Sequence, residues 1–318
     1  MPNAVRDNFL DDLATRFPAR RKMPGSQSLF DLGNGCRIYL RYSKVHDGRR
    51  TFYGLRKTDL RELEGHRSII CFLWDGQAQP LLLPYGDFED VFAELSPADD
   101  GQFKAQIYLG ADSTELYLPG AGRFNVESYF GWSEYVALST PEAAAIGSQL
   151  THSQVQTLLA AIGSSKGHDI WIPTNDRNRL YTQWSTNVSL HTSLPPVAIP
   201  VEASLREVDV IWLRRGGGEI VSLFEVEHST PVYSGLLRFN DFQIAAPTMQ
   251  SKFSIVSNEL RRSLFVRQLN RPTFRASGLT DRCTFLEYVN VYEWWRRLCP
   301  TELHCEPAAS LPGSSSVT

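Results

Sequence analysis

No apolar run in the chain approaches the roughly 20 residues that a membrane-spanning helix needs, so membrane insertion is set aside. Met1 to Arg21 mixes Asp11 and Asp12 with Arg6, Arg16, Arg20 and Arg21 and has no apolar core before a small-residue cleavage site, which is not the pattern of a signal peptide. Cysteine is scarce. Cys36, Cys71, Cys283, Cys299 and Cys305 form no CxxC pair, and their odd number would strand a thiol in an oxidising compartment, so a reducing cytoplasm is expected. A Ser-His-Asp hydrolase has little support in the sequence. No Walker A sequence is present, which argues against autonomous ATP hydrolysis. Nor is there an excess of positive charge: the formal net charge of −3 does not announce a polyanionic partner.

What is present is an ordinary globular composition, 42% hydrophobic and 21% charged, in a chain of 318 residues that can hold two domains with separate cores. The organisation reads as two β-containing units joined near Thr140 to Gln149, where Ser139, Thr140, Pro141 and Gly147 bracket an Ala-rich stretch. The expected divisions are an N-terminal helical extension over 1–27, a mostly β domain over 28–140, a mixed domain over 141–305 and a disordered tail over 306–318. Short strands are expected at Cys36 to Lys44, Thr51 to Leu55, Ser68 to Trp74, Pro80 to Leu83, Phe103 to Leu109 and Thr114 to Pro119. A helix is expected near Thr58 to Glu64, and another from Asp87 to Leu95 capped by its own aspartate. Strands spaced so closely suggest a barrel or sandwich. Arg37 to Arg67 carries nine Lys or Arg against four Asp or Glu, interleaved with Tyr39, Tyr42, Phe52 and Tyr53. That is either a solvated basic face or a phosphate-binding surface.

After the joint the rhythm changes. Val155, Leu158, Leu159 and Ile162 recur at spacings of three and four, one apolar face of a helix over Ser153 to Ile162. A strand at His168 to Pro173 precedes a polar, proline-bearing stretch to about Leu205. Val208 to Leu213 and Ile220 to Glu227 are strands around Gly216-Gly217-Gly218, a hairpin signal. Thr230-Pro231 reads as N-cap and first residue of a helix to about Ala245. Strand Phe253 to Val256, helix Glu259 to Leu269, strand Phe285 to Val289 and helix Glu293 to Leu298 follow. An antiparallel hairpin with the glycines as its loop sets Arg215 opposite Glu219 and Asp209 across from Glu225. Alternation then sends Glu225 and Glu227 to one face, Phe224 and Val226 to the other. Three acids on one patch repel one another and gain from a hard divalent cation with oxygen ligands, Mg²⁺ or Mn²⁺. The same alternation also describes the solvent face of a half-buried strand, and a one-residue slip would part Asp209 from Glu225.

Taken in order, Val208-Asp209-Val210-Ile211-Trp212, the glycine turn, Phe224-Glu225-Val226-Glu227-His228 and Tyr233-Ser234-Gly235-Leu236-Leu237-Arg238 resemble the catalytic core of PD-(D/E)xK restriction-type nucleases. So does the upstream Gly167-His168-Asp169-Ile170-Trp171-Ile172-Pro173-Thr174-Asn175-Asp176-Arg177. The resemblance covers residues 147 to 300. It implies an α/β (α+β) restriction endonuclease-like core with a mixed central sheet, and in-line attack of metal-activated water on a phosphodiester. Carried over by position, Asp209 and Glu225 are ligands for Mg²⁺ or Mn²⁺, Glu227 stands where the family has lysine, and Arg238 or His228 supplies positive charge. Where many members place an acid on the first helix, this chain has Gln154 and Gln156. The residues also carry plainer readings: His228 as a strand-end group, Asp169 in a salt bridge, Asp176 in a self-capped turn.

Arg37-Ile38-Tyr39-Leu40-Arg41-Tyr42-Ser43-Lys44 and Thr51-Phe52-Tyr53-Gly54-Leu55 are similar to the pseudobarrel DNA-reading module of some restriction enzymes, over about residues 28–135. This implies Arg37, Arg41, Lys44, Arg49, Arg50, Arg56 and Lys57 near phosphates or guanine edges, with Arg238 a further DNA contact. The combined expectation is a restriction or defence endonuclease acting on double-stranded DNA. One site cuts one strand, so a homodimer or sequential nicking is implied, and a cognate methyltransferase encoded nearby is the expected companion. A catalytically silent DNA-binding protein and a structure-reading repair or transposition nuclease are the competing readings.

Overall fold

The computed structural model of the chain describes residues 4–33, 35–46, 49–110, 113–133, 135, 150–182, 184, 188–195, 199–216, 218–228 and 231–299. The joint expected at 140–149, the tail, Thr230 and Cys305 lie outside the described residues.

The N-terminal part runs α1 (Ala4–Arg16), β1 (Arg21–Lys22), β2 (Leu29–Asp31), β3 (Cys36–Ser43), β4 (Arg50–Arg56), α2 (Lys57–Arg61), β5 (Arg67–Trp74), β6 (Leu81–Pro84), α3 (Glu89–Glu94), β7 (Gln102–Leu109), β8 (Thr114–Leu118) and β9 (Gly122–Asn125). Hydrogen bonding sorts the strands into two sheets, β1-β2-β3-β5-β6 and β4-β7-β8-β9. Their facing sides share a core that includes Tyr39, Leu55, Phe72, Ile107 and Leu116. β3 and β5 are parallel neighbours and are apolar on both faces, because α1 lays Phe9 and Leu13 over Ile38, Leu40 and Ile69 on the far side. Asp87 does not cap the helix after it. A 3-10 turn over Tyr85–Asp87 intervenes and Phe88 is the N-cap of α3, while the Asp87 carboxylate accepts a hydrogen bond from Tyr129 Oη at 3.1 Å.

The C-terminal part runs α4 (His152–Ser165), β10 (Asp169–Trp171), α5 (Ile199–Leu205), β11 (Val210–Leu213), β12 (Ile220–Val226), α6 (Val232–Ala245), β13 (Lys252–Ser257), α7 (Arg262–Leu269), α8 (Pro272–Ala276), β14 (Cys283–Glu287) and α9 (Tyr288–Leu298). Its strands form one mixed sheet in the order β10-β11-β12-β13-β14, antiparallel across the first two pairs and parallel across the last two. α4 and α9 cover one face, packing Leu158, Val291 and Trp294 with Trp212, Phe224 and Val226. The helices α5 to α8 cover the other, with Leu205, Leu236, Phe239, Phe265 and Phe274 packed on Leu223, Phe253 and Ile255. The chain is therefore an α+β protein with mixed sheets. Gly163 lets α4 approach the sheet: a Cβ there would lie 2.4 Å from Trp212 Nε1, whose N–H donates to Leu159 O at 3.0 Å.

Helix α5 occupies the end of the stretch expected to be irregular. Pro200 sits in its first turn, where a missing N–H has no intrahelical partner to lose. Pro231 is the N-cap of α6 rather than its first residue, and Glu259–Arg261 is a 3-10 turn leading into α7. No described helix is long and apolar enough to cross a membrane.

The two parts meet through buried polar groups. Glu89, 2% exposed, accepts from Lys166 Nζ at 2.8 Å and from Trp294 Nε1 at 2.9 Å. Arg37, expected near phosphates, is instead 5% exposed. Its guanidinium donates to Glu62 and, across the junction, to Thr284. The position lies on a strand covered on both faces, so the side chain is spent on tying the parts together; a buried charge left unpaired there would be costly.

Candidate active site

Helix α4 begins at a capping box. Thr151 Oγ1 accepts from the Gln154 N–H at 3.3 Å, and Gln154 Oε1 accepts from the Thr151 N–H at 2.9 Å. Gln156, buried, donates from Nε2 to Asp209 O at 2.9 Å. The two glutamines thus start the helix and hold the Asp209 backbone, and the residue of α4 that meets an acid is His152, which the sequence reading missed. The one signal for it was a histidine beside a well-formed cap. Thr151→Ala is expected to destabilise the chain by about 1 kcal/mol, read as a lower urea midpoint at unchanged slope.

Asp209 immediately precedes β11. Its Oδ2 accepts the Val226 N–H at 2.7 Å, and its Oδ1 lies 3.4 Å from His152 Nε2. The hairpin pairs Val210 with Phe224 and Trp212 with Ser222, the register expected from the glycine turn, which brings Asp209 level with Glu225. Past Trp212 the register shifts, and Arg214 rather than Arg215 meets Glu219, with Nε 2.6 Å from Oε2. A bulge of this kind skips one residue on one strand and so changes which arginine faces the acid. Asp169, weighed as half of a salt bridge, accepts the Gly216 N–H at 2.7 Å and ties down the hairpin loop.

Along β12, Phe224 and Val226 enter the core beneath α4 and α9. Glu225 turns toward α6, where Gly235 leaves it room: a Cβ on that glycine would come 3.0 Å from Glu225 Cγ. Glu225 is 1% exposed and Glu227 2%. Arg238 of α6 grips Glu225 with both arms, Nε to Oε1 at 2.6 Å and Nη2 to Oε2 at 2.9 Å, and its Nη1 lies 3.6 Å from Glu207. Burial pushes Glu225 up to about 8; the bond from Arg238 pulls it back, and the charges of Asp209 and Glu227 push it further up. His228 stacks on Tyr288, ring centroids 6.1 Å apart.

Asp176 completes a compact group. Ligand atoms of His152, Asp176 and Asp209 all lie within 4.8 Å of one another, and all three residues are half-buried. Among the described residues this is the group close enough to share one cation; Glu225 and Glu227 stand outside it. The bond to Asp209 raises the His152 pKa against the opposing effect of burial, with Asp176 adding to the rise. The turn carrying Asp176 is braced by its neighbour Arg177, which lies 4.8 Å over the Trp171 ring and donates to Ile172 O and His191 O, each at 3.0 Å. One imidazole nitrogen and two carboxylates make a donor set that fits a divalent ion, and suits Mn²⁺ better than Mg²⁺, which prefers oxygen throughout.

Of the cations expected at DNA, Lys44, Arg49, Arg50, Arg56 and Lys57 are exposed. Arg41 is half-buried with its guanidinium 5.7 Å over the Tyr39 ring.

Residues 136–305 match the family described as the type II restriction enzyme NmeDI C-terminal domain. Over 156 residues the chain is 30% identical to the type II restriction enzyme NmeDI of Neisseria meningitidis serogroup C, a match covering 44% of this chain and 43% of that protein. The chain therefore spans less than half the length of this relative. No solved structure matches it.

Proposed function

The chain belongs to the family of the type II restriction enzyme NmeDI C-terminal domain, and on that premise we propose that it is a metal-dependent DNA endonuclease of restriction type. In this reading the C-terminal part is a PD-(D/E)xK nuclease domain and the N-terminal part a pseudobarrel that supplies specificity. The sheet order, two antiparallel pairs followed by two parallel ones under helices on both faces, supports the first half. The observation that carries the proposal is the convergence of His152, Asp176 and Asp209 at the end of the hairpin that also bears Glu225 and Glu227.

Asp209 belongs to both possible ligand sets. His152 and Asp176 complete one; Glu225, whose two oxygens each accept a bond from Arg238, is the candidate for the other. A bound divalent ion supplies an acidic water and screens the scissile phosphate. The chain's own work is positional. Val226 and Gln156 hold Asp209 by side chain and main chain. Glu227, in place of the family's lysine, offers no positive charge, and Arg238 is the cation beside the acids that can meet charge developing on phosphate. Two copies, or two successive nicks, then sever a duplex, and a cognate methyltransferase would protect the host's own sites. The engaged Glu225 and the absent lysine favour one rival, a silent DNA-binding protein.

Supercoiled plasmid separates the two. The full chain is expected to nick and then linearise plasmid in Mn²⁺, more slowly in Mg²⁺ because of the imidazole donor, and not at all in chelator, with activity restored when Mn²⁺ is returned. Plasmid left intact in both metals, or cut equally in chelator, overturns the proposal.

A further inference from the structure

The β4-β7-β8-β9 sheet has a second face that the core does not use. Alternation sends Tyr53, Leu55, Phe103, Ala105 and Ile107 inward, so Arg50, Phe52, Arg56, Lys104, Gln106 and Tyr108 point outward from β4 and β7. The ladder sets Phe52 opposite Gln106 at the centre, Arg50 opposite Tyr108 toward one end and Arg56 opposite Gln102 at the other. Phe52 is 42% exposed, an unusual position for a large apolar ring. It is flanked by the Arg50 guanidinium at 5.1 Å and the edge of His46 at 5.3 Å. On the neighbouring strands Arg123 lies 4.1 Å over the Tyr108 ring and pairs with Glu115 at 2.9 Å.

Charge tells what this face suits. Glu115 is matched by Arg123, and Asp100 by Lys104. Arg50 and Arg56 on the face, with Lys44, Arg49 and Lys57 beside it, make no ion pair with any described residue. Such a surplus of cations around an amide, a phenol and an exposed ring complements a polyanion with hydrogen-bonding bases. The free edge of β4 is not offered for strand addition, because Ser43 Oγ accepts the Phe52 N–H at 3.0 Å and Tyr39 Oη the Arg56 N–H at 3.2 Å. The side-chain face is what remains for a partner.

We propose that the outer face of the β4–β7 ribbon enters the major groove of duplex DNA and reads its sequence, a role that rests on the endonuclease reading above. A two-stranded ribbon fits a groove about 12 Å wide, which a four-stranded sheet does not. Phe52 and Gln106 meet base edges, Arg50 and Arg56 meet guanine edges or phosphates at the two ends, and β8 and β9 stay outside the groove with Arg123 toward the backbone.

The test uses the full chain, without divalent metal, on a pool of randomised 30-base-pair duplexes whose retained members are sequenced. Wild type is expected to enrich a motif. Phe52→Ala with Gln106→Ala is expected to retain duplex but lose the motif, and Arg50→Ala with Arg56→Ala to weaken retention by about tenfold or more. Unfolding in urea serves as the folding control, and Gln106→Glu, which changes charge at one half-buried position of the outer face, is expected to abolish enrichment as well. The same motif recovered from the folded variants, or duplex retained by wild type with no motif, overturns the reading surface and leaves the nuclease standing. A wild-type chain that retains no duplex and cuts no plasmid overturns the endonuclease reading itself.

Discussion

Asp209→Asn is expected to leave the chain folded and its duplex binding intact while slowing plasmid cleavage about a thousandfold, the worth of several kcal/mol of charge stabilisation lost from a metal site. The amide oxygen of asparagine can still accept the Val226 N–H, which Asp209 Oδ2 now holds at 2.7 Å. The bond from Gln156 goes to the main chain and is untouched. What disappears is the negative charge between His152 and the place where a cation would sit. Cleavage rates in Mn²⁺ beside duplex retention and urea midpoints distinguish a chemical loss from a structural one. A variant that cuts within about tenfold of wild type sinks the assignment of Asp209 as a ligand, since such a loss is only about 1.4 kcal/mol.

Arg238→Met is expected to destabilise the chain more at pH 9.5 than at pH 5, by about 2 kcal/mol, because removing one member of a buried pair strands the other once it ionises. The direction follows from Glu225. Its folded pKa is raised from 4.5 to about 8, burial being the main cause. The folded state therefore holds a proton that the unfolded state releases, and the stability Glu225 contributes is complete below about 4.5 and lost as pH rises through about 8. Without the bidentate grip of Arg238, only burial and the neighbouring acids remain, so the folded pKa moves higher still and the loss grows and extends to higher pH. Glu225→Gln removes the titration, and the Glu225→Gln, Arg238→Met double variant is expected to recover most of the stability at pH 9.5. Urea unfolding of the metal-free chain at the two pH values checks this; an equal loss at both, or no recovery in the double variant, refutes it.

The acids were legible because the hairpin is a local object. A glycine-rich turn and a period of two are enough to align Asp209 with Glu225 and to send Phe224 and Val226 to the opposite side, and the observed pairing from Val210 to Trp212 follows that register. Past Trp212 the bulge defeated the same rule, as a shift of one residue leaves no trace in the alternation. Helix α4 was legible from its apolar stripe, yet the roles of Gln154 and Gln156 were not: one closes a cap and the other reaches the main chain of another strand. Arg37 shows the converse. A basic residue on an amphipathic strand reads as exposed, but β3 is covered by α1 on one side and the second sheet on the other.

By itself, then, the amino-acid order determined the elements whose patterns are short-ranged: most of the strands, though not β1, β2 or β9, the first helix of the C-terminal part, the hairpin and the pairing that sets two acids level. Only the tertiary structure decided that His152 and Asp176 join Asp209, that Arg238 occupies Glu225, and that one sheet keeps a cationic, aromatic face for solvent. The reason is physical. Alternation and helical period act over a few residues, whereas which side chains meet depends on how helices and sheets pack, and the same local pattern is compatible with many such packings.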